Sequence, residues 1–109
     1  MRFDTQWVTI HARAPRKWRL KVRAKLDTGA ARCSIDDQLA RALGLEKVGE
    51  VTVKNAMGRQ TRPLYNAMIR IGRYRFDIRI SGADRSNLST PMLIGKEVID
   101  LMKSSGLET

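Results

Sequence analysis

The stretch from Arg19 to Leu26, in the string RLKVRAKLDTGA, sets Leu20, Val22, Ala24 and Leu26 at alternate positions with Arg19, Lys21, Arg23 and Lys25 between them. A period of two puts the four apolar side chains on one face of an extended strand and the four cations on the other. A helix would scatter both sets around its surface. The strand then runs directly into Asp27-Thr28-Gly29. An acidic side chain at the end of a strand with one buried face is costly to desolvate unless something uses it. Asp27 therefore reads either as a turn former or as a reacting group.

The rest of the chain is consistent with a β-rich framework. WVTIHA, from Trp7 to Ala12, is β-branched and aromatic, and RAPRK after it carries Pro15 at a reversal. Beyond DTGAARC, Ser34 with Asp37 three residues on resembles a capping pair. Ile35, Leu39, Ala42 and Leu43 then make an apolar stripe, and Gly44 stops it, which predicts a short helix. From Val48 to Ser81 the pattern is strand, turn at Asn55 to Gln60, strand, turn at Gly72-Arg73, and a third strand with Tyr74, Phe76, Ile78 and Ile80 alternating. The end offers a polar loop, a brief strand in MLIG and a helix carrying Val98, Ile99, Leu101 and Met102. The expectation is an all-β fold, mostly β with two short helices, in a single domain covering residues 1–109, with no internal repeat or linker.

Composition narrows the chemistry. One cysteine, Cys33, excludes an internal disulfide framework, and with His11 as the one histidine the chain is short of ligands for a zinc site, so no metal is expected. No Gly-rich phosphate loop with Lys and Ser or Thr behind it is present, and no cofactor is expected. No apolar run approaches the roughly 18 residues that span a bilayer, and the amino-terminal string lacks the apolar core of a signal peptide, so the expected location is cytoplasmic, away from membranes. With 21 Lys+Arg against 11 Asp+Glu, the net charge of +10 predicts attraction to anions without naming them.

Asp-Thr-Gly at the end of a strand resembles the active-site motif of aspartic proteases, and a short chain with one copy resembles the retropepsin-like type. Leu93-Ile94-Gly95 in MLIGKEVI resembles the second signature of that family, two apolar residues and a glycine that pack beneath the catalytic loop. The strings AKLDTGAARCSID, LARALGL and ADRSNLSTPMLIGKEVI are also similar to the bacterial and archaeal retropepsin-like family once labelled ATP-dependent zinc proteases. The zinc of that label finds no support in His11 and Cys33, and ATP would belong to a partner.

The resemblance implies a symmetric homodimer in which each copy contributes Asp27, Thr28 and Gly29 to one cleft. Hydrolysis by this route needs one carboxylate as base and one carboxylic acid as donor around a shared water, and a two-fold axis through Asp27 supplies both. Thr28 would bond across the axis, and Gly29 would let the loops approach without a Cβ. Ala30, Arg32, Met57, Gly58 and Arg59 are the expected substrate-binding residues, with the hairpin around Asn55 to Gln60 as a cover. The expected reaction is cleavage of a peptide or isopeptide bond by an aspartic endopeptidase, with Arg32, Arg59 and Arg62 favouring acidic peptides.

Three departures stand out. Ala31 and Arg32 occupy places where viral retropepsins carry acids, Gly95 is followed by Lys96 where Arg is common, and Gly58 is the one glycine at the hairpin tip. Two alternatives come from another class: a catalytically silent dimer used as a binding module, and nucleic-acid binding by HARAPRKWRLKVRAK, where Trp18 lies among cations. The basic residues are equally accounted for as the outward face of the Leu20 to Leu26 strand, so nucleic acid is the less favoured partner.

Overall fold

Alternation decides most of the architecture. In the computed structural model, which describes residues 5–12, 19–56 and 58–104, every long run with a two-residue period is a strand. β1 is Thr5–His11, β2 is Arg19–Leu26, β4 is Glu46–Asn55, β5 is Gly58–Ile71 and β6 is Tyr74–Ala83. Two three-residue strands, β3 at Ser34–Asp36 and β7 at Met92–Ile94, and two helices, α1 at Asp37–Ala42 and α2 at Lys96–Ser104, complete the order. Pro15 and Trp18, with the predicted reversal around them, lie outside the described residues, as does Met57.

The sheet runs β1-β2-β7-β3-β6-β5-β4, and β1 pairs again with β5 through Thr9 opposite Arg70 and Ile10 opposite Ile69. That second pairing closes the first six strands of the order into a barrel and leaves β4 as a flange on β5. Closure removes the exposed edges of β1 and β5 and gives one interior. Val8, Ile10, Val22, Ala24, Ile35, Ile69, Ile80, Met92 and Ile94 fill it, joined by Val98, Ile99 and Met102 of α2. Leu101, grouped with that helix's apolar residues by sequence, is instead 51% exposed.

The two hairpins form as the alternation predicts. β4 and β5 pair from Glu46–Asn66 to Asn55–Gly58, so the turn is tighter than the Asn55 to Gln60 span expected. The register slips between Lys47 and Gly49, and Val48 is the additional residue, which leaves it exposed. β5 and β6 meet around Gly72, whose φ of 60° is the left-handed value that a tight turn needs.

The first helix differs from its prediction. Ser34 does not cap it; Ser34 is buried in β3, paired with Leu93 on one side and Ser81 on the other. Asp36 takes the capping role, its carboxylate accepting from the Leu39 N–H at 3.3 Å. The local string Ser34-Ile35-Asp36-Asp37 allows either cap, and two neighbouring strands competing for the backbone of Ser34 decide between them. Gly44, at φ 69°, ends the helix as expected, its N–H bonding the Arg41 carbonyl at 3.0 Å.

Candidate active site

β2 delivers Asp27. Leu26, its last residue, lies opposite Ile94 of β7, and the next N–H, that of Asp27, donates to the Ile94 carbonyl at 3.0 Å. The chain then turns: the Ala30 N–H bonds the Asp27 carbonyl at 3.2 Å, and the Gly29 N–H bonds Asp27 Oδ1 at 2.9 Å. A side-chain oxygen held by the backbone two residues on is the usual way that Asp fixes a turn, and here it also fixes the carboxylate. No group among the described residues donates to the second oxygen. Asp27 is half-buried, whereas Thr28 and Gly29 are exposed at the tip.

A second layer holds this loop from beneath. The first N–H groups of α2, which have no partner within their own helix, donate instead to the loop: Lys96 N–H to the Ala30 carbonyl at 2.7 Å and Glu97 N–H to the Ala31 carbonyl at 3.3 Å. Gly95 lies against the Arg32 backbone so closely that a Cβ there would come within 2.6 Å of the Arg32 carbonyl carbon and 2.7 Å of its oxygen. Only glycine fits. This is the physical content of the Leu-Ile-Gly signature: β7 pairs with β2, and the glycine brings the helix start against the chain that follows Asp27.

Cys33 completes the clamp. Its sulfur accepts the Gly95 N–H at 3.3 Å, and burial pushes its thiol up to about 11, opposed in part by that hydrogen bond. It is a packed thiol, protonated at neutral pH. Burial also raises the Glu97 carboxyl above the usual range, with nearby Arg32 pulling it back. Part of the Arg32 charge is therefore answered within the chain.

The predicted site residues fall into two groups. Asp27, Thr28, Gly29, Ala30 and Arg32 share the clamped loop, where both backbone groups of Ala30 are spent on bracing it. Gly58 and Arg59 stand at the far end of the β4–β5 hairpin, with Arg59 opposite Lys54; Met57 lies outside the described residues. No hydrogen bond or ion pair among the described residues joins the two groups. Lys96, in the place where Arg is common, turns away to Asp100 of its own helix at 2.8 Å. Arg62 donates twice to Gln60 Oε1, at 3.2 and 3.1 Å. It also lines a groove of about 370 Å³ whose other charged residues are Asp36, Asp37 and Asp84. That groove carries more acid than base, so the acidic-peptide expectation rests on Arg32 and Arg59.

Sequence reading missed the supports of the groove. Arg85, buried in what looked like a polar loop, donates through Nε to the Thr90 carbonyl at 3.0 Å and through its terminal nitrogen to Thr90 Oγ1 at 3.2 Å. Its backbone N–H bonds Asp36 Oδ1 at 3.0 Å, tying the 84–91 loop to the cap of α1. Burial, with Arg62 adding repulsion, lowers the Arg85 proton affinity from its ordinary value. On the other side, the Tyr65 hydroxyl donates to Asp37 Oδ1 at 2.6 Å while Arg41 pairs with Oδ2 at 3.0 Å. Burial and that carboxylate raise the Tyr65 hydroxyl above its ordinary value. These partners are 28 and 49 residues apart in the chain, and no local pattern announces them.

Comparison with known proteins bears on this geometry. The model of a family described as aspartyl protease matches residues 19–98. The solution structure of the simian foamy virus (mac) protease is similar at a TM-score of 0.62 with 14% identity, covering 91% of this chain and 96% of that one. A crystal structure of the Legionella pneumophila protein Lpg0085, of unknown function, is similar at 0.57 with 19% identity, covering 91% and 86%. At these identities the structures establish the fold, which is retropepsin-like. No curated protein sequence matches the chain.

Proposed function

We propose, from the premise that this chain belongs to the aspartyl protease family, that it hydrolyses a peptide or isopeptide bond as a symmetric homodimer, the two Asp27 carboxyls activating one water between them. Within the family we place it with the bacterial and archaeal retropepsin-like group, on the strings quoted above. The observation that carries the reading is the state of the Asp27 loop. One carboxylate oxygen is held by the Gly29 N–H, the backbone is tied to β7 and α2, and the tip at Thr28 and Gly29 is exposed. A fixed, half-buried carboxylate next to an exposed tip is what a second copy needs in order to bring its own carboxylate alongside.

The chemistry follows from symmetry. Two carboxyls flanking one water hold a single proton between them, so one oxygen takes the proton of the attacking water while the other carboxyl protonates the carbonyl oxygen of the substrate. Each acid is positioned before substrate arrives, which lowers the cost of orienting them in the transition state. The β4–β5 hairpin, with Gly58 and Arg59 at its end, closes over the cleft, and Ala30 and Arg32 border it. Arg32 and Arg59 favour substrates with acidic side chains near the scissile bond.

The test is Asp27→Asn, which keeps the Oδ1 acceptor for the Gly29 N–H but cannot serve as base or acid. Peptide-library cleavage is expected to fall by at least roughly a thousandfold, while sedimentation equilibrium still gives a dimer. Wild-type protein that sediments as a monomer at high concentration, or a dimer that cleaves nothing in the library, defeats the reading, the second outcome leaving a silent binding module.

A further inference from the structure

The barrel wall formed by β2, β1, β5 and β6 carries a pattern that hydrolysis does not use. Lys21 lies opposite Thr9, Thr9 opposite Arg70, and Arg70 opposite Arg75, so a single row across four adjacent strands holds three cations and a hydroxyl. All face outward, since Val8, Ile10, Val22 and Ile69 beside them are buried. In the next row Arg23 lies opposite Trp7, which is 51% exposed. Lys21 Nζ stands 5.7 Å and Arg23 Cζ 5.2 Å from the centre of the indole. Lys25 and Arg19 extend the stripe along β2, and neither β1 nor β2 contains an acid. Asp77, opposite Met68, is the acid in the adjoining row of β6.

This arrangement has a cost. Like charges directly opposite across strands repel, and a half-exposed indole forgoes burial worth roughly 1 to 2 kcal/mol in ordinary packing. A concavity of about 410 Å³ lies at the centre, lined by Gln6, Trp7, Thr9, Lys21, Arg70 and Gly72. Its lining combines an aromatic plane, two cations and neutral hydrogen-bonding groups. Such a lining suits a ligand with both a flat ring and a negative charge.

We propose that this wall binds single-stranded nucleic acid, with Trp7 stacking on a base while Lys21, Arg23, Arg70 and Arg75 neutralise successive phosphates. An acidic polypeptide would satisfy the cations but gives the indole no ring to stack on. A duplex is disfavoured because the wall presents neither a helix nor a protruding ribbon to enter a groove. The concavity is centred on Lys21, six positions or roughly 20 Å of extended chain before Asp27, and none of Trp7, Lys21, Arg70 and Arg75 belongs to the Asp27 loop, although Arg23 and Lys25 carry the stripe toward it.

The experiment is fluorescence anisotropy of a labelled oligouridine with the full chain across a salt series. Binding is expected to weaken with salt, with a slope of roughly −0.7 in log–log units per phosphate neutralised. Lys21→Glu with Arg70→Glu should lower affinity by about thirtyfold or more and flatten the slope by roughly 1.4, the share of two phosphates. Trp7→Ala should lower it about tenfold, within the range of one stacked base, and Trp7→Phe should restore most of the loss. Lys47→Glu with Lys103→Glu, elsewhere on the surface, should change it less than about threefold. Circular dichroism and Asp27-dependent cleavage report whether each variant is folded; if the charge reversals unfold, the Lys21→Gln and Arg70→Gln pair replaces them. Absence of binding overturns the proposal, as does equal binding by Trp7→Ala, equal loss in the control pair, or competition by poly-glutamate as strong as that by oligouridine.

Discussion

The Asp27 loop and the tip of the β4–β5 hairpin would face the same substrate, yet they are built in opposite ways. From Asp27 to Cys33 the backbone is bonded to β7 and to the first turn of α2, and a glycine at 95 is pressed against it. At the hairpin tip, Gly58 has a φ of 115° with open space around it, and the next ladder pair, Lys54 and Arg59, is exposed. One region is braced by β7, by α2 and by the glycine that links them; the other depends on a two-stranded ribbon. An enzyme that must hold its acids fixed and still admit a chain between them needs both kinds of construction.

The sharpest way to break this contrast is Gly95→Ala. The added methyl overlaps the Arg32 backbone, which cannot yield without lifting the loop, so a loss of about 3 kcal/mol or more is expected in denaturant titrations, with cleavage lost in parallel. A variant that melts with the wild type would mean that the clamp is looser than its geometry. Cys33 tests the same region through pH. Its thiol titrates near 9 in an unfolded chain and at about 11 when folded. The stabilisation from keeping it protonated is thus complete below about pH 9 and is lost as the pH rises toward about 11, by roughly 2 to 3 kcal/mol. Stability–pH profiles of wild type and Cys33→Ala should converge over that window, and parallel profiles would contradict the burial.

The hairpin should respond more mildly. Gly58→Ala forces a side chain into the positive-φ region at a cost of about 1 kcal/mol. The loss should be confined to the tip, where amide exchange quickens while the melting temperature hardly moves, and kcat/KM should fall several-fold. A collapse of global stability would make the hairpin part of the core. Smallest of all, Lys96→Ala removes an exposed pair with Asp100 and should leave both melting and cleavage unchanged. If cleavage fell, Lys96 would have a part in the cleft that its contact with Asp100 conceals.

Much of this was legible in the chain itself. Alternation in β2, β5 and β6 located the strands, Gly44 the end of the first helix, Gly72 a hairpin turn, and Asp27-Thr28-Gly29 with Leu93-Ile94-Gly95 the two halves of the clamp. Each is a local signal, since a period of two or a glycine at a turn expresses backbone geometry within a few residues. The misreadings came where distant segments competed for the same group. Ser34 was taken from a helix cap by β6 and β7, and Arg85, in what read as a polar loop, was drawn inside by Thr90 and Asp36.

The amino-acid sequence by itself determined that this protein would be a β-structure bearing one acidic turn with a glycine partner later in the chain. The tertiary structure alone decided which groups meet: the closure of β1 on β5, the Gly95 contact with Arg32, the Tyr65–Asp37 and Arg85–Thr90 supports, and the row of cations across four strands. The reason is physical. Periodicity fixes which way a side chain points from its own strand, but the register between strands, set by packing the whole core at once, fixes what it points at.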